Sequence, residues 1–443
     1  MIEYILIKYE IIVKQWKVFL FLLICFSYNQ VHGQFLMEMI DTTADIGKGM
    51  LAIYKKFDRV KISGYIQPQF QAAKQKGART FNGGDFPSQV NNRFMLRRGR
   101  IRFEYAHFKN IGQPVLQFVF QFDGTERGVN IRDFWGRIFE NRFQVFSLTT
   151  GMFARPFGYE LNLSSSDRES PERGRMSQIL MRTERDLGAM VSFESRNKNS
   201  SFRHFKWDAG FFNGQGLTAP GEFDSHKDFI SRIALKPYSL SKKCAISLGV
   251  SYLNGGLVQN NRYVYTIEKK TLKNFQVDSN ANNKGKIAPR KYYGSDAQIK
   301  IKHAWGFTEL RGEYWFGKQT STESNSETPT TILNEPYFIR RFNGAFLYLL
   351  QNIASTKYQI GLKYDWYDPN TEVEGSEIGL PGSNINSTNI KYSTFSIGLN
   401  HYMNENMKVF LWYDMVKNER TGIEGFRNDL KDNVFTCRLQ FRF

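Results

Sequence analysis

The chain predicts an all-β fold, a transmembrane antiparallel up-and-down β-barrel of about 16 strands. Three observations carry this. The stretch Asn433 to Phe443 alternates strictly, with Phe435, Cys437, Leu439, Phe441 and Phe443 apolar and Thr436, Arg438, Gln440 and Arg442 polar. That period of two describes a strand with one greasy and one wet face. Beyond the N-terminal region no segment approaches the ~20 apolar residues of a spanning helix; the longest wholly apolar run is Ala345 to Leu350. Finally, the connections between alternating segments are long and short in turn, as a barrel with tight turns at one end and large loops at the other requires.

In chain order, Lys8, Lys14 and Lys17 precede an apolar run from Val18 to about Tyr28, followed by Val31-His32-Gly33. The run is too short to span a bilayer, and the pattern predicts a signal peptide over 1–33, cleaved near Gly33. Bulky Ile24 before Cys25 argues against a lipoprotein site. Residues 34–56 form a short periplasmic segment; Leu36, Ile40, Ala44, Gly47, Leu51 and Tyr54 recur at helical spacing, and a flexible leader fits equally. The barrel domain is 57–443.

Its alternating segments are Val60 to Gln71, Arg93 to Tyr105, Pro114 to Asp123, Ile131 to Glu140, Phe143 to Ala154, Asp186 to Arg196, His204 to Asn213 and Lys227 to Pro237. They continue with Cys244 to Asn254, Tyr293 to Lys302, Phe307 to Gly317, Arg341 to Leu350, Thr356 to Trp366, Lys391 to His401, Met407 to Val416 and Asp432 to Phe443. Each is long enough to cross a bilayer at a tilt, and the count is even. Only the short link Gly124 to Asn130 breaks the loop rhythm.

The formal charge is +18, and cleavage at Gly33 would remove three Lys and two Glu to leave +17. An export signal makes nucleic acid a poor partner and favours anionic solutes or lipopolysaccharide phosphates. Cys244 and Cys437 fall on apolar phases far apart, which predicts two buried or lipid-facing thiols and no disulfide.

The final aromatic Phe443 resembles the closing residue of Gram-negative outer-membrane barrels, which the outer-membrane assembly machinery reads. Further stretches carry a family resemblance: Gly64-Tyr-Ile-Gln67, Ala209 to Gly216, Lys227-Asp228 with Arg232-Ile233 and Lys236-Pro237, Leu310 to Gln319, Tyr364 to Asn370 and Val434 to Phe443. Together these are similar to the phosphate-selective porin O and P family. The resemblance implies an outer-membrane porin of 16 strands, usually a homotrimer, passing small anionic solutes such as phosphate without a cofactor.

A barrel this wide encloses water, so its inward residues decide what passes. On the second strand Phe94, Leu96, Arg98, Arg100, Arg102 and Glu104 share one phase. The other phase is mostly apolar and predicted to face lipid, so the anion-pathway candidates are Arg98, Arg100 and Arg102, with Arg137, Arg232, Arg311 and Arg438 by the same reading. Arg97 violates the pattern, and Gly99 could mark a bulge. Lys300, Lys302, Lys363 and Arg442 are also expected inward, as are Asp123, Asp133, Glu140, Glu309 and Glu313; pairing with these carboxylates is the bland alternative to a solute-facing role. The third long loop, Arg155 to Arg185, is expected to fold into the lumen on family grounds, with Arg155, Arg168, Arg173 and Arg175 as constriction candidates. Together with Arg182 and Arg185 these alternate with Glu160, Asp167, Glu169, Glu172, Glu184 and Asp186, mixed charges that can set a transverse field across a constriction and equally fit a solvated external loop.

Two rival functions compete with an anion channel. An enzyme would need a nucleophile beside an oriented base, and a metal would need clustered ligands; the five histidines from His107 onward are isolated. No catalytic or metal residue is assigned. A general or sugar porin remains open, because Tyr65, Trp135 and Trp315 are expected inward, where rings can stack on sugars.

Overall fold

The computed structural model describes residues 59–443 except 111–112, 218, 220 and 269–272. The expected signal peptide and the segment 34–56 lie outside the described residues.

Sixteen strands form the wall. They are β1 (Val60–Ala73), β2 (Asn92–Asn110), β3 (Gln113–Thr125), β4 (Gly128–Phe139), β5 (Phe146–Ala154), β6 (Arg185–Glu194), β7 (Phe205–Phe212), β8 (Asp228–Ser239), β9 (Cys244–Val258), then β12 (Ile287–His303), β13 (Gly306–Ser321), β14 (Tyr337–Ile353), β15 (Ser355–Asp368), β16 (Tyr392–Asn404), β17 (Met407–Asn418) and β18 (Val434–Arg442). Each pairs antiparallel with its neighbours, β9 joins β12 directly, and β1 closes the cylinder on β18 through pairs from Tyr65–Arg442 to Ala73–Val434. Every one of the 16 segments read from alternation corresponds to a wall strand, with ends shifted by a few residues.

The short hairpin β10 (Val264–Glu268) and β11 (Asn274–Asp278) was not anticipated. It rises from the long connection after β9, and its Tyr265 stacks on Phe338 at 4.4 Å. A second addition is the one-turn-and-a-half helix α1 (Arg175–Leu180) inside the third long loop.

Alternation sorts the two faces as expected. Outward residues such as Leu248, Val250, Leu310, Leu347, Ile397 and Leu399 are exposed apolar side chains, while inward Gln67, Gln69, Asp133, Arg311 and Arg438 are buried. Aromatic residues flank the apolar band at the short-turn end, with Phe143, Phe202, Tyr238, Trp305 and Tyr358 exposed there. Such a band with ring girdles is what a strand bilayer crossing needs. Cys244 and Cys437 are free and half-buried. Glu140 differs from expectation: it sits in the β4–β5 turn rather than on the wall, where its carboxylate accepts the Phe143 N–H at 2.6 Å.

Candidate functional site

The phase of β2 is corrected by a bulge. Ile66 pairs with Gly99 and Pro68 with Leu96, so Arg97 and Arg98 together stand opposite Gln67. The extra residue shifts the alternation by one. Phe94, at 85% exposure, and Leu96 therefore face outward, whereas Arg97, Arg98, Arg100 and Arg102 face the lumen. The bulge lies just before Gly99 rather than on it. β4 repeats the device: Gln121 pairs with Asp133 and Phe122 with Ile131, which leaves Arg132 as the extra residue. Arg132 and Asp133 both reach lumenal partners, and simple alternation could not assign Arg132 there.

The third long loop lies inside the barrel. Its backbone and side chains bond to inward residues around the wall: Ser165 Oγ and Tyr65 Oη are 2.6 Å apart, Lys408 Nζ donates to the Ser166 carbonyl at 2.6 Å, and Ser170 Oγ meets Tyr348 Oη at 2.7 Å. On the β13 side Glu313 accepts the N–H groups of Tyr159 and Glu160, each at 2.9 Å. Phe157 is wholly buried, edge-on to Trp315 at 4.7 Å. With Leu161, Met176, Ile179 and Leu180 it builds an apolar core against Phe212, Ile230, Leu253 and Tyr292 of the wall. Burying one such Phe contributes roughly 1.5–3 kcal/mol, so the cluster pins the loop on that side.

What remains open runs along the other side. Two cavities, of about 600 and 580 Å³, lie on the long-loop and short-turn sides of the docked loop. Both are lined by Arg100, Arg132, Glu184 and Arg185, which therefore form the neck between them. Arg97, Arg98 and Arg173 line the outer cavity; Arg102, Arg168, Lys61 and Arg442 line the inner one.

Few carboxylates answer these cations. Glu172 takes Arg98 in a two-pronged contact, Nη1–Oε1 2.9 Å and Nη2–Oε2 2.5 Å, and also Arg97 at 2.9 Å and Arg438 at 2.8 Å. Glu184 takes Arg132, Arg173 at 3.1 Å and Arg185 at 2.7 Å. Asp123 pairs with Arg100 at 2.8 Å, and Asp133 with Arg185 at 3.1 Å. Burial alone would push the Glu172 and Glu184 carboxyls up, but the surrounding guanidiniums hold both well below the usual carboxylate range. Arg102 pairs with Glu104 at 3.2 Å and Arg442 with Asp167 at 3.0 Å. Ten arginines and Lys61 line the two cavities against six carboxylates, Asp85, Asp123, Asp167, Glu172, Glu184 and Glu327. Among these arginines Arg168, 2% exposed, has a guanidinium whose Nε and Nη1 have no hydrogen-bond partner.

The other candidates fall elsewhere. Arg137 donates to Thr149 Oγ1 at 2.7 Å and stacks on Trp135; Arg232 is clamped by Asp296 at 3.0 Å; Arg311 is held by Glu169 and packs on Tyr348. None of these three lines either arginine cavity. Arg438 lies behind them, bound to Gln69 and to the Pro171 carbonyl. In the loop, Arg155 bonds to the Thr183 carbonyl and Arg175 is sandwiched between Phe81 and Tyr392. Of the expected inward rings, Trp315 is 0% exposed under Phe157 and closed to a solute. Sequence reasoning missed Arg132; Arg185, Glu172 and Glu184 were visible among the mixed charges of the loop, but not which of those charges meet the wall.

A family model described as phosphate-selective porin O and P matches residues 337–443, from the start of β14 to the end. Two of the resembling stretches, Tyr364 to Asn370 and Val434 to Phe443, fall inside it. No curated protein matches the chain. Among solved structures it is similar to OmpT of Vibrio cholerae in its trimer form (10% identity, 87% of this chain and 99% of that one, TM-score 0.48). It is also similar to Salmonella typhi OmpF in complex with daunomycin (11%, 87% and 97%, TM-score 0.49) and to the channel DcaP of Acinetobacter baumannii (11%, 87% and 97%, TM-score 0.48). The resemblance to the phosphate-selective porin O and P family thus holds over the last five strands of a closed 16-stranded antiparallel barrel.

Proposed function

We propose that the chain is a passive channel for small solutes that prefers anions, with phosphate as a natural cargo, and that the pathway runs through the neck between β2, β4, β6 and the docked loop. The single observation that carries this is the excess of guanidinium over carboxylate along the two cavities. A guanidinium stays charged at any physiological pH and presents a donor fork matched to oxyanions. Low-dielectric walls focus the resulting field into the aqueous gap, so anions are concentrated there and cations excluded. Pairing does not cancel the effect: Glu172 is one charge among three arginines, and Glu184 likewise.

The docked loop supports a narrowed pore, because it fills the β7–β15 side with apolar packing and leaves the arginine side open. In a planar bilayer under a salt gradient the reversal potential should have the sign of anion preference, and added phosphate should reduce chloride current. A cation-preferring wild-type channel would overturn the proposal.

A further inference from the structure

A third cavity, of about 420 Å³, opens among the long loops at the barrel mouth and meets the outer arginine cavity at Phe81, Asp85 and Glu327. Its volume is that of a small-molecule pocket. Two of its lining residues each carry a buried polar atom without a hydrogen-bond partner, Oη of Tyr367, 2% exposed, and Oδ1 of Asp432, 3% exposed. Buried polar groups in native proteins are almost always satisfied, and two orphans in one cavity point to an occupant. Beside them the Arg175 guanidinium is held between the rings of Phe81 (4.6 Å) and Tyr392 (3.9 Å), so its planar donors are fixed in place. Burial pushes the Asp432 carboxyl up to about 6, against the pull of Arg175.

The charges around this cavity balance. Glu327 is taken by Arg182 at 3.0 Å, which leaves Arg79 and Arg175 against Asp85 and Asp432. A site with a donor fork, a carboxylate acceptor, a phenol that does both, and an apolar floor of Ile179 and Ile390 does not select charge. It suits hydroxyl groups on a ring. We infer that this cavity is a binding site for a neutral saccharide of one or two rings, at the mouth of the channel and adjoining the outer arginine cavity.

The test uses the full-length protein in planar bilayers with maltose and glucose as probes. Tyr367→Phe removes one hydroxyl and keeps the ring that packs on Phe342; Asp432→Asn keeps the shape and removes the charge. Wild-type conductance should fall saturably with one of the two sugars, and each variant should raise the half-blocking concentration on the order of tenfold, the loss expected for one hydrogen bond to a polar or charged group. A decline that is linear, tracks bulk conductivity and is the same in wild type and both variants would overturn the inference and assign the two atoms to ordered water. Reversal potentials from the same membranes separate the two proposals: anion preference without saturable block sinks only the saccharide site, and saturable block without anion preference sinks only the anion pathway.

Discussion

Arg98 on β2 and Glu172 in the third long loop meet through two parallel N–H···O contacts of 2.9 and 2.5 Å, across 74 residues of sequence. The contact ties the loop to the arginine wall at the edge of the outer cavity. Since Glu172 also receives Arg97 and Arg438, loss of Arg98 alone leaves the carboxylate paired.

Replacing Arg98, Arg100 and Arg102 together with Ala should move the reversal potential toward zero without abolishing the barrel. Their outward neighbours Ile101 and Phe103 are untouched, and the ladder with β1 is backbone-made. Asp123 would lose its 2.8 Å partner and keep only Arg132 at 3.8 Å, so the neck would also gain uncompensated negative charge. Unchanged selectivity in folded trimeric or monomeric material would assign these arginines a structural role only.

Glu184→Gln should act in the opposite direction. The carboxylate sits in the neck among Arg132, Arg173 and Arg185, and its removal leaves all three cations with less compensation. Anion preference should rise, while the loop should be held more weakly, since breaking a buried pair costs about 3–5 kcal/mol. Reversal potential and protease sensitivity of the loop read the two effects separately; a fall in anion preference would contradict the neck assignment.

Acid should act on the same carboxylates late. Their folded pKa values lie below the ordinary Glu value of about 4.3, so their stabilising contribution is fully present above that value and is lost only as pH falls beneath it, through the folded values. Selectivity and loop protection should hold from pH 7 to about pH 5. Loss of loop protection in that interval would show that Glu172 and Glu184 titrate above the ordinary Glu value rather than below it.

Shortening the loop between 156 and 183 should raise single-channel conductance, because the segment spans the lumen from Glu313 to Lys408. Conductance equal to wild type in an intact barrel would exclude the loop from the pathway.

The closing seam gives a folding prediction. Gly64 and Phe443 exchange backbone hydrogen bonds of 3.1 and 3.0 Å, and a Cβ on Gly64 would lie 2.5 Å from the Arg100 carbonyl oxygen. Deleting Phe443, or Gly64→Val, should lower the folded, heat-modifiable form in outer membranes. Normal assembly of the Phe443 deletion would show that the seam closes without this backbone pair.

The wall was legible in the sequence because a strand with lipid on one side and a wet interior on the other must alternate, and each of the 16 segments carries that pattern independently of its neighbours. So were the long and short connections and the inward Arg98, Arg100 and Arg102. Three things were decided only by tertiary structure. The bulges opposite Gln67 and between Ile131 and Asp133 insert one residue each; the first was signalled by Arg97 breaking the pattern beside Gly99, whereas nothing in a period-two reading marked Arg132, which the second turns inward. The partners of the loop charges depend on contacts such as Glu172 with Arg438 and Glu169 with Arg311, which lie 266 and 142 residues apart. The off-centre position of the arginine-lined cavities follows from Phe157 packing against Trp315 rather than from any charge pattern, since the apolar core fills one side of the lumen and leaves the other to the arginines.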